Sequence, residues 1–120
     1  MEIAERRIDE IAIAELRGRV DSTTADEVEA RLFSLVQSGC SGLVIDFRQV
    51  AYMSSAGFRV LLVAARAAQS SRCELALCEI DGELRRLFEM GGFDEIFTVL
   101  PTRDECVAHL RARRAAQAGG

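Results

Sequence analysis

The stretch GLVIDFRQVAYMSSAGF, residues 42–58, decides the fold because its pattern changes from a strand to a helix. Residues 43–47 form a short, nearly continuous apolar run, which is typical of a strand covered on both faces. Asp46 is the one polar interruption, and we expect it to hydrogen-bond to the backbone that follows. From Ser55 onward the apolar spacing is helical. The junction at Ser54 and Ser55 is therefore the first candidate for a functional site.

The two serines have different predicted roles. Ser54 suits the N-cap position, where its hydroxyl accepts a hydrogen bond from a free first-turn N–H group. Ser55 is then the first helical residue and lies at the positive end of the helix dipole. A phosphate on Ser55 would meet unpaired backbone N–H groups, an interaction worth about 0.3–1 kcal/mol when exposed. Plain helix capping would also explain a serine pair here, so both interpretations stay open at this point.

The rest of this helix, predicted over residues 55–69, has a narrow polar stripe. Arg59, Arg66 and Ser70 recur at spacings of seven and four. The opposite face is apolar and consists of Leu61, Ala64, Ala65 and Ala68. We therefore expect a mostly covered helix with only a thin edge in solvent. Phe58 lies on its flank, as either a residue at the rim of the core or an anchor for a partner.

Strands and helices alternate along the whole chain. We predict strands near residues 3–6, 11–16, 43–47, 73–78 and 97–100. The candidate caps of the helices are Ser22 or Thr23, Ser54, Asp81 and Thr102. This order predicts a single α/β domain whose mixed, mostly parallel sheet of four to five strands is flanked by four helices. A turn at Asp9 and Glu10 makes the N-terminal edge an antiparallel hairpin.

Two segments follow neighbouring parallel strands, at residues 20–24 and 48–58. Partner and ligand sites of open α/β sheets gather at such carboxyl ends. Asp21 and Asp46 could in principle form a carboxylate pair for metal or acid–base chemistry. Asp21 also suits the turn before a helix, so we favour structural roles for both, with Asp21 available to a partner.

Composition narrows the class of protein. A chain of 120 residues with 49% hydrophobic residues fits one domain, which we place at residues 1–114 with a flexible tail at 115–120. The net charge of -4 and the pI of about 5.0 give no support for nucleic-acid binding. No apolar run approaches the ~20 residues that cross a bilayer, and we see no secretion signal. We expect a cytoplasmic protein without a membrane span.

The residues with reactive side chains do not form a recognisable catalytic or metal pattern. Four cysteines, at 40, 73, 78 and 106, have no C-x-x-C spacing and accompany a single histidine, His109, which we expect on the surface. Cys73 and Cys78 would point to opposite faces of one strand and cannot pair with each other, so we expect reduced thiols. Neither a G-x-S-x-G elbow nor a glycine-rich phosphate loop with a following lysine is found. We expect no cofactor and no enzymatic activity.

The sequence resembles the STAS domains of sulfate transporters and anti-sigma factor antagonists over nearly its whole length. The resemblance rests on the order and spacing of five motifs: LRGRVD at 16–21, DF at 46–47, MSSAGFRVLL at 53–62, LRRLFEMGGF at 84–93 and IF at 96–97. Two positions depart from the best-known pattern. Ser54 stands where an aspartate is common, and Ala56 stands where a second serine is common.

The resemblance implies a bacterial anti-sigma factor antagonist that binds an anti-sigma factor serine kinase and so regulates sigma-factor-dependent transcription. Phosphorylation of Ser55 would end the binding, and a serine phosphatase is the other expected partner. The implied contact surface consists of Asp21, Ser22, Thr23, Ser54, Ser55, Gly57 and Phe58. The alternative is a STAS scaffold subunit of a lipid-transport or stressosome-like assembly, whose serine pair only caps the helix and is never phosphorylated.

Overall fold

A computed structural model describes residues 1–118 as five strands and five helices. The strands are β1 (Glu2–Ile8), β2 (Ile11–Val20), β3 (Gly42–Met53), β4 (Glu74–Cys78) and β5 (Thr98–Leu100). The helices are α1 (Ala25–Val36), α2 (Ser55–Ser70), α3 (Gly82–Met90), α4 (Phe93–Ile96) and α5 (Arg103–Ala118). The predicted α/β class is confirmed, with the four-residue α4 as an additional helix.

The five strands form one sheet in the order β1-β2-β3-β4-β5. β1 is antiparallel to β2 through the predicted hairpin, and every later neighbour is parallel. Asp9 takes the left-handed conformation that the tight turn requires, with φ of 56°. Right-handed crossovers that add each strand on the same side place α1 to α4 on one face of the sheet. α5 packs against the other face.

Each face of the sheet has its own apolar core. The larger core lies between the sheet and the helices α1 to α4 and includes Leu32, Ile45, Leu61 and Phe88. The smaller core lies beneath α5 and includes Val44 and Cys106. Residues 43–47 of β3 are all buried because both layers cover them, as the continuous apolar run predicted.

Several boundaries differ from the prediction. β3 continues from residue 47 to Met53 because β2 extends beside it as far as Val20. α5 is helical through Ala118, so its last turn includes residues 115–118 of the segment predicted as the tail. Residues 119 and 120 of that tail lie outside the described residues. Among the described helices, none combines the length and apolar character that a membrane crossing requires.

Candidate functional site

The candidate site lies where β2 and β3 end side by side. Val20 and Met53 are register partners at these ends, and the Ser54 N–H donates to the Val20 carbonyl at 2.9 Å. This bond connects the loop that begins at Asp21 to the start of α2. The structure therefore brings together the two segments that the sequence predicts at the carboxyl edge of the sheet.

Ser54 and Ser55 differ at the start of α2 as predicted. Ser54 is the N-cap, with extended backbone, and its Oγ accepts from the Ala56 N–H at 3.3 Å. Ser55 is the first helical residue and is exposed. Within residues 1–118 the Ser55 hydroxyl has no hydrogen-bond partner. The Ser54 hydroxyl is thus used by the backbone, whereas the Ser55 hydroxyl is open to a reagent or an enzyme.

The loop after β2 is held by Asp21. Its Oδ1 accepts from the Thr23 N–H at 2.9 Å and from the Thr23 hydroxyl at 2.6 Å. The Thr23 hydroxyl, with further help from the Thr23 backbone and Arg19, lowers the pKa of Asp21 below its usual value. Ser22 and Thr23 are both exposed. The loop therefore presents an ionised carboxylate and two hydroxyl residues beside Ser54.

The predicted cap of α1 is wrong by one or two positions. The N-cap is Thr24, not Ser22 or Thr23, and its side chain makes no cap hydrogen bond. Its hydroxyl instead donates to the Arg19 carbonyl at 2.9 Å and accepts from the Asp21 N–H at 3.0 Å. Thr24 thus closes the loop, which leaves Ser22 and Thr23 at its exposed tip.

Gly57 is predicted to contact a partner, but the structure buries it. A Cβ atom at Gly57 would lie 2.6 Å from Met53 Cγ and 3.2 Å from the Val20 carbonyl oxygen. Only glycine allows α2 to pack this closely on the ends of β2 and β3. Gly57 supports the site from inside the domain and contributes no side chain to the surface.

Phe58 is half-buried, with its ring centroid 5.2 Å from that of Phe88 and 4.9 Å from that of Phe93. Aromatic pairs at such distances pack favourably. These contacts favour the interpretation of Phe58 as a residue at the rim of the core, linking α2 to α3 and α4. Its half-exposed part still borders the helix start.

Arg19 and Tyr52 border the site and were not singled out from the sequence. They are register partners on β2 and β3, and the Arg19 guanidinium lies 4.3 Å from the centre of the Tyr52 ring. Arg19 Nε also lies 3.6 Å from Asp21 Oδ2. The signal that could have identified them is the continuation of both strands, which places alternate residues on one face.

The solvent-exposed face of α2 is wider than predicted. Leu62 and Val63 are 40% and 39% exposed, although the sequence suggests only a thin polar edge. Arg59 and Arg66 are exposed as expected. α2 therefore presents apolar as well as cationic side chains to solvent.

Asp46 has a structural role away from the serines. It is buried, and its carboxylate accepts from the Arg48 N–H at 2.9 Å and from Arg103 Nη2 at 2.7 Å. The same Nη2 lies 2.6 Å from Glu15 Oε2. The hydrogen bond from Arg17, and to a smaller extent the one from Arg103, lowers the pKa of Glu15. Residues 1–118 contain no group of three potential metal ligands.

Comparison with known proteins identifies the family of this chain. The sequence model of the STAS domain family matches residues 2–106. BtrV of Bordetella bronchiseptica, named provisionally as an anti-sigma factor antagonist, is 38% identical over 111 residues, which cover 92% of this chain and 96% of BtrV.

Two solved structures have the same fold. An anti-sigma factor antagonist from Mycobacterium paratuberculosis aligns with a TM-score of 0.84 and 22% identity, covering 92% of this chain and 93% of the other. The Bacillus cell fate determinant SpoIIAA in its phosphorylated form aligns with a TM-score of 0.70 and 16% identity, covering 91% and 99%.

The fold and site define a class: an α/β domain with a capped helix start beside the end of a neighbouring parallel strand. The chain belongs to the STAS domain family.

Proposed function

We propose that this chain is an anti-sigma factor antagonist that a partner serine kinase switches off by phosphorylating Ser55. The observation that carries the proposal is the exposed, unbonded Ser55 hydroxyl at the first position of α2, next to a Ser54 hydroxyl that caps the helix. Further support comes from BtrV, which shares 38% identity, and from SpoIIAA, a protein of the same fold that has a phosphorylated form.

The docking surface consists of the loop tip and the helix start: Asp21, Ser22, Thr23, Ser54, Ser55 and the exposed part of Phe58. Its hydroxyl groups can form neutral hydrogen bonds with a partner. A phosphate on Ser55 would add about -1.5 to -2 charges and three acceptor oxygens. Next to the ionised Asp21, that charge would repel an acidic partner group and hold water that docking must remove.

In this proposal the partner, and not this chain, catalyses the phosphoryl transfer. The chain supplies the serine, whereas the anti-sigma factor supplies ATP and the catalytic groups, so we do not expect this chain to be an enzyme. A serine phosphatase would restore the docking state. Because the kinase and its sigma factor act on transcription in a bacterial cell, we place the chain in the cytoplasm.

The experiment measures how tightly the chain binds the purified anti-sigma factor kinase whose gene lies nearest to its own. Ser55→Asp introduces a charge, and Ser55→Asn is the matched neutral control of nearly the same shape. We expect Ser55→Asp to bind at least about tenfold more weakly than Ser55→Asn, a difference of about 1.4 kcal/mol.

Equal affinities of Ser55→Asp and Ser55→Asn would contradict the switch. A chain that binds STAS partners but no kinase, and that stays unphosphorylated with ATP, would instead be a scaffold subunit of a lipid-transport or stressosome-like assembly. Ser70→Asp, at the far end of α2, tests whether a negative charge elsewhere on the helix weakens kinase binding. We expect it to bind like the unmodified chain.

A further inference from the structure

Two thiols that are far apart in the sequence lie side by side in the fold. Cys40 Sγ is 3.5 Å from Cys73 Sγ, across a separation of 33 positions. Both are nearly covered, with exposures of 4% and 5%. The sequence offered no sign of this pair, because its spacing matches no short cysteine motif.

Hydrogen bonds between two connecting loops hold the pair in place. Cys40 lies in the connection between α1 and β3, and Cys73 lies in the connection between α2 and β4. The Glu74 N–H donates to the Ser41 carbonyl at 3.0 Å, and Gln37 Nε2 donates to Ser71 Oγ at 3.0 Å. The two connections are thus already joined by hydrogen bonds around the sulfur atoms.

The pair lies close to the protein surface. Cys73 lines an open groove of about 790 Å³ between α2, β4 and α4. Residues 37–39, directly before Cys40, are exposed. The two remaining cysteines, Cys78 and Cys106, are 0% exposed and lie beside each other in the core between the sheet and α5. The fold therefore contains one thiol pair just below the surface and a second thiol pair in the core.

The hydrogen bond between the two thiols shifts their pKa values in opposite directions. The hydrogen bond from Cys73 lowers the pKa of Cys40, although burial opposes this shift. The same interaction, together with burial, raises the pKa of Cys73. A thiolate beside a protonated thiol is the arrangement from which a disulfide forms.

We propose that Cys40 and Cys73 are an oxidation site at which a peroxide closes an intramolecular disulfide. One thiolate attacks an oxygen of hydrogen peroxide, which breaks the O–O bond and gives a sulfenic acid and hydroxide. The second thiol attacks that sulfur, the S–S bond forms, and water leaves. In total, two thiols lose their hydrogens and one peroxide becomes two waters.

The cross-link would tie the carboxyl ends of α1 and α2 together. Cys40 precedes β3 whereas Ser54 follows it, so the cross-link and the docking surface lie at opposite ends of a twelve-residue strand. We expect the disulfide to stabilise the domain by restricting its unfolded state. The melting temperature should rise by about 5 °C or more.

The test treats the purified chain with hydrogen peroxide and then alkylates it in denaturant. The account predicts that two thiols are labelled after oxidation and four in the reduced control. Digestion with trypsin and a glutamate-specific protease separates Cys73 from Cys78, so mass spectrometry identifies the linked pair. A peptide that joins Cys40 to Cys73 is the expected product, and dithiothreitol should remove it together with the rise in melting temperature.

Three results would overturn the proposal: four free thiols after oxidation, a bond between Cys78 and Cys106 alone, or only bonds between chains. Peptide mapping uses the unmodified sequence, so it does not depend on any variant being folded. Cys73→Ala should abolish the cross-link, whereas the control Cys106→Ala should retain it. A cross-link at Cys40 that persists in Cys73→Ala would also contradict the proposed pair.

Discussion

Ser54 and Ser55 are neighbours in the chain, but their hydroxyl groups have different surroundings. The Ser54 hydroxyl satisfies the Ala56 N–H, one of the first-turn donors that a helix leaves without a partner. Ser55 has helical backbone and is exposed, and its hydroxyl accepts from none of those donors. A serine at the cap therefore stabilises α2, and the serine after it remains available for chemistry.

This division predicts unequal effects of two neighbouring substitutions. Ser54→Ala removes the cap and should lower the free energy of unfolding by about 1 kcal/mol. Ser55→Ala removes a hydroxyl without a partner and should change it by less than about 0.5 kcal/mol. Urea denaturation of both variants checks the difference, and an equal loss in the two would contradict the assignment of the cap.

Replacing Gly57 by alanine should destabilise the domain, although helix propensity alone predicts the opposite. Glycine to alanine in a helix normally stabilises by up to about 1 kcal/mol. At Gly57 the new methyl group would meet Met53 Cγ and the Val20 backbone, so we expect a net loss of about 1–3 kcal/mol. Thermal unfolding measures the change, and a loss in the Gly57→Ala, Met53→Ala double variant that is smaller than the sum of the two single losses would support a steric cause. A more stable Gly57→Ala variant would show that α2 does not pack this closely.

At the scale of elements, α5 is attached to the sheet by an ion pair that reaches into the protein. Arg103, at the first position of α5, binds Asp46 of β3 and Glu15 of β2. Arg111, further along α5, pairs with Asp9 at 2.9 Å where both side chains are more than half exposed. The first pair is shielded from water, whereas the second is screened by it.

The two arginines of α5 should therefore differ in their effect on stability. Arg103→Met leaves the buried Asp46 carboxylate without a cationic partner and should cost about 3 kcal/mol. Arg111→Met should cost less than about 1 kcal/mol. Denaturation at neutral pH compares them, and a loss at Arg103 no larger than at Arg111 would mean that Asp46 is not held as described.

At the scale of the whole molecule, both apolar cores pack against the same sheet, so neither core can form without it. We therefore expect residues 1–114 to unfold in a single cooperative transition. Differential scanning calorimetry should show one peak whose calorimetric and van't Hoff enthalpies agree. Two separate peaks would indicate that α5 and the sheet unfold independently.

The sequence was most informative where the determinants are local. The apolar run at 43–47 predicts a doubly covered strand, and the serines at 54 and 55 predict the start of α2; both agree with the structure. The Asp46–Arg103 pair spans 57 positions and follows from the docking of α5, which local patterns do not encode. The cap at Thr24 depends on the Arg19 carbonyl, and the exposure of Leu62 depends on which helix faces remain uncovered.

The most direct test of the central claim is the position of the phosphate. The chain is incubated with the proposed anti-sigma factor kinase and ATP, and the tryptic peptide of residues 49–59, which contains both serines, is fragmented in the mass spectrometer. The account predicts phosphate on Ser55 and none on Ser54, with no phosphorylation of the Ser55→Ala variant. Phosphate on Ser54, or an unchanged level in Ser55→Ala, would contradict it.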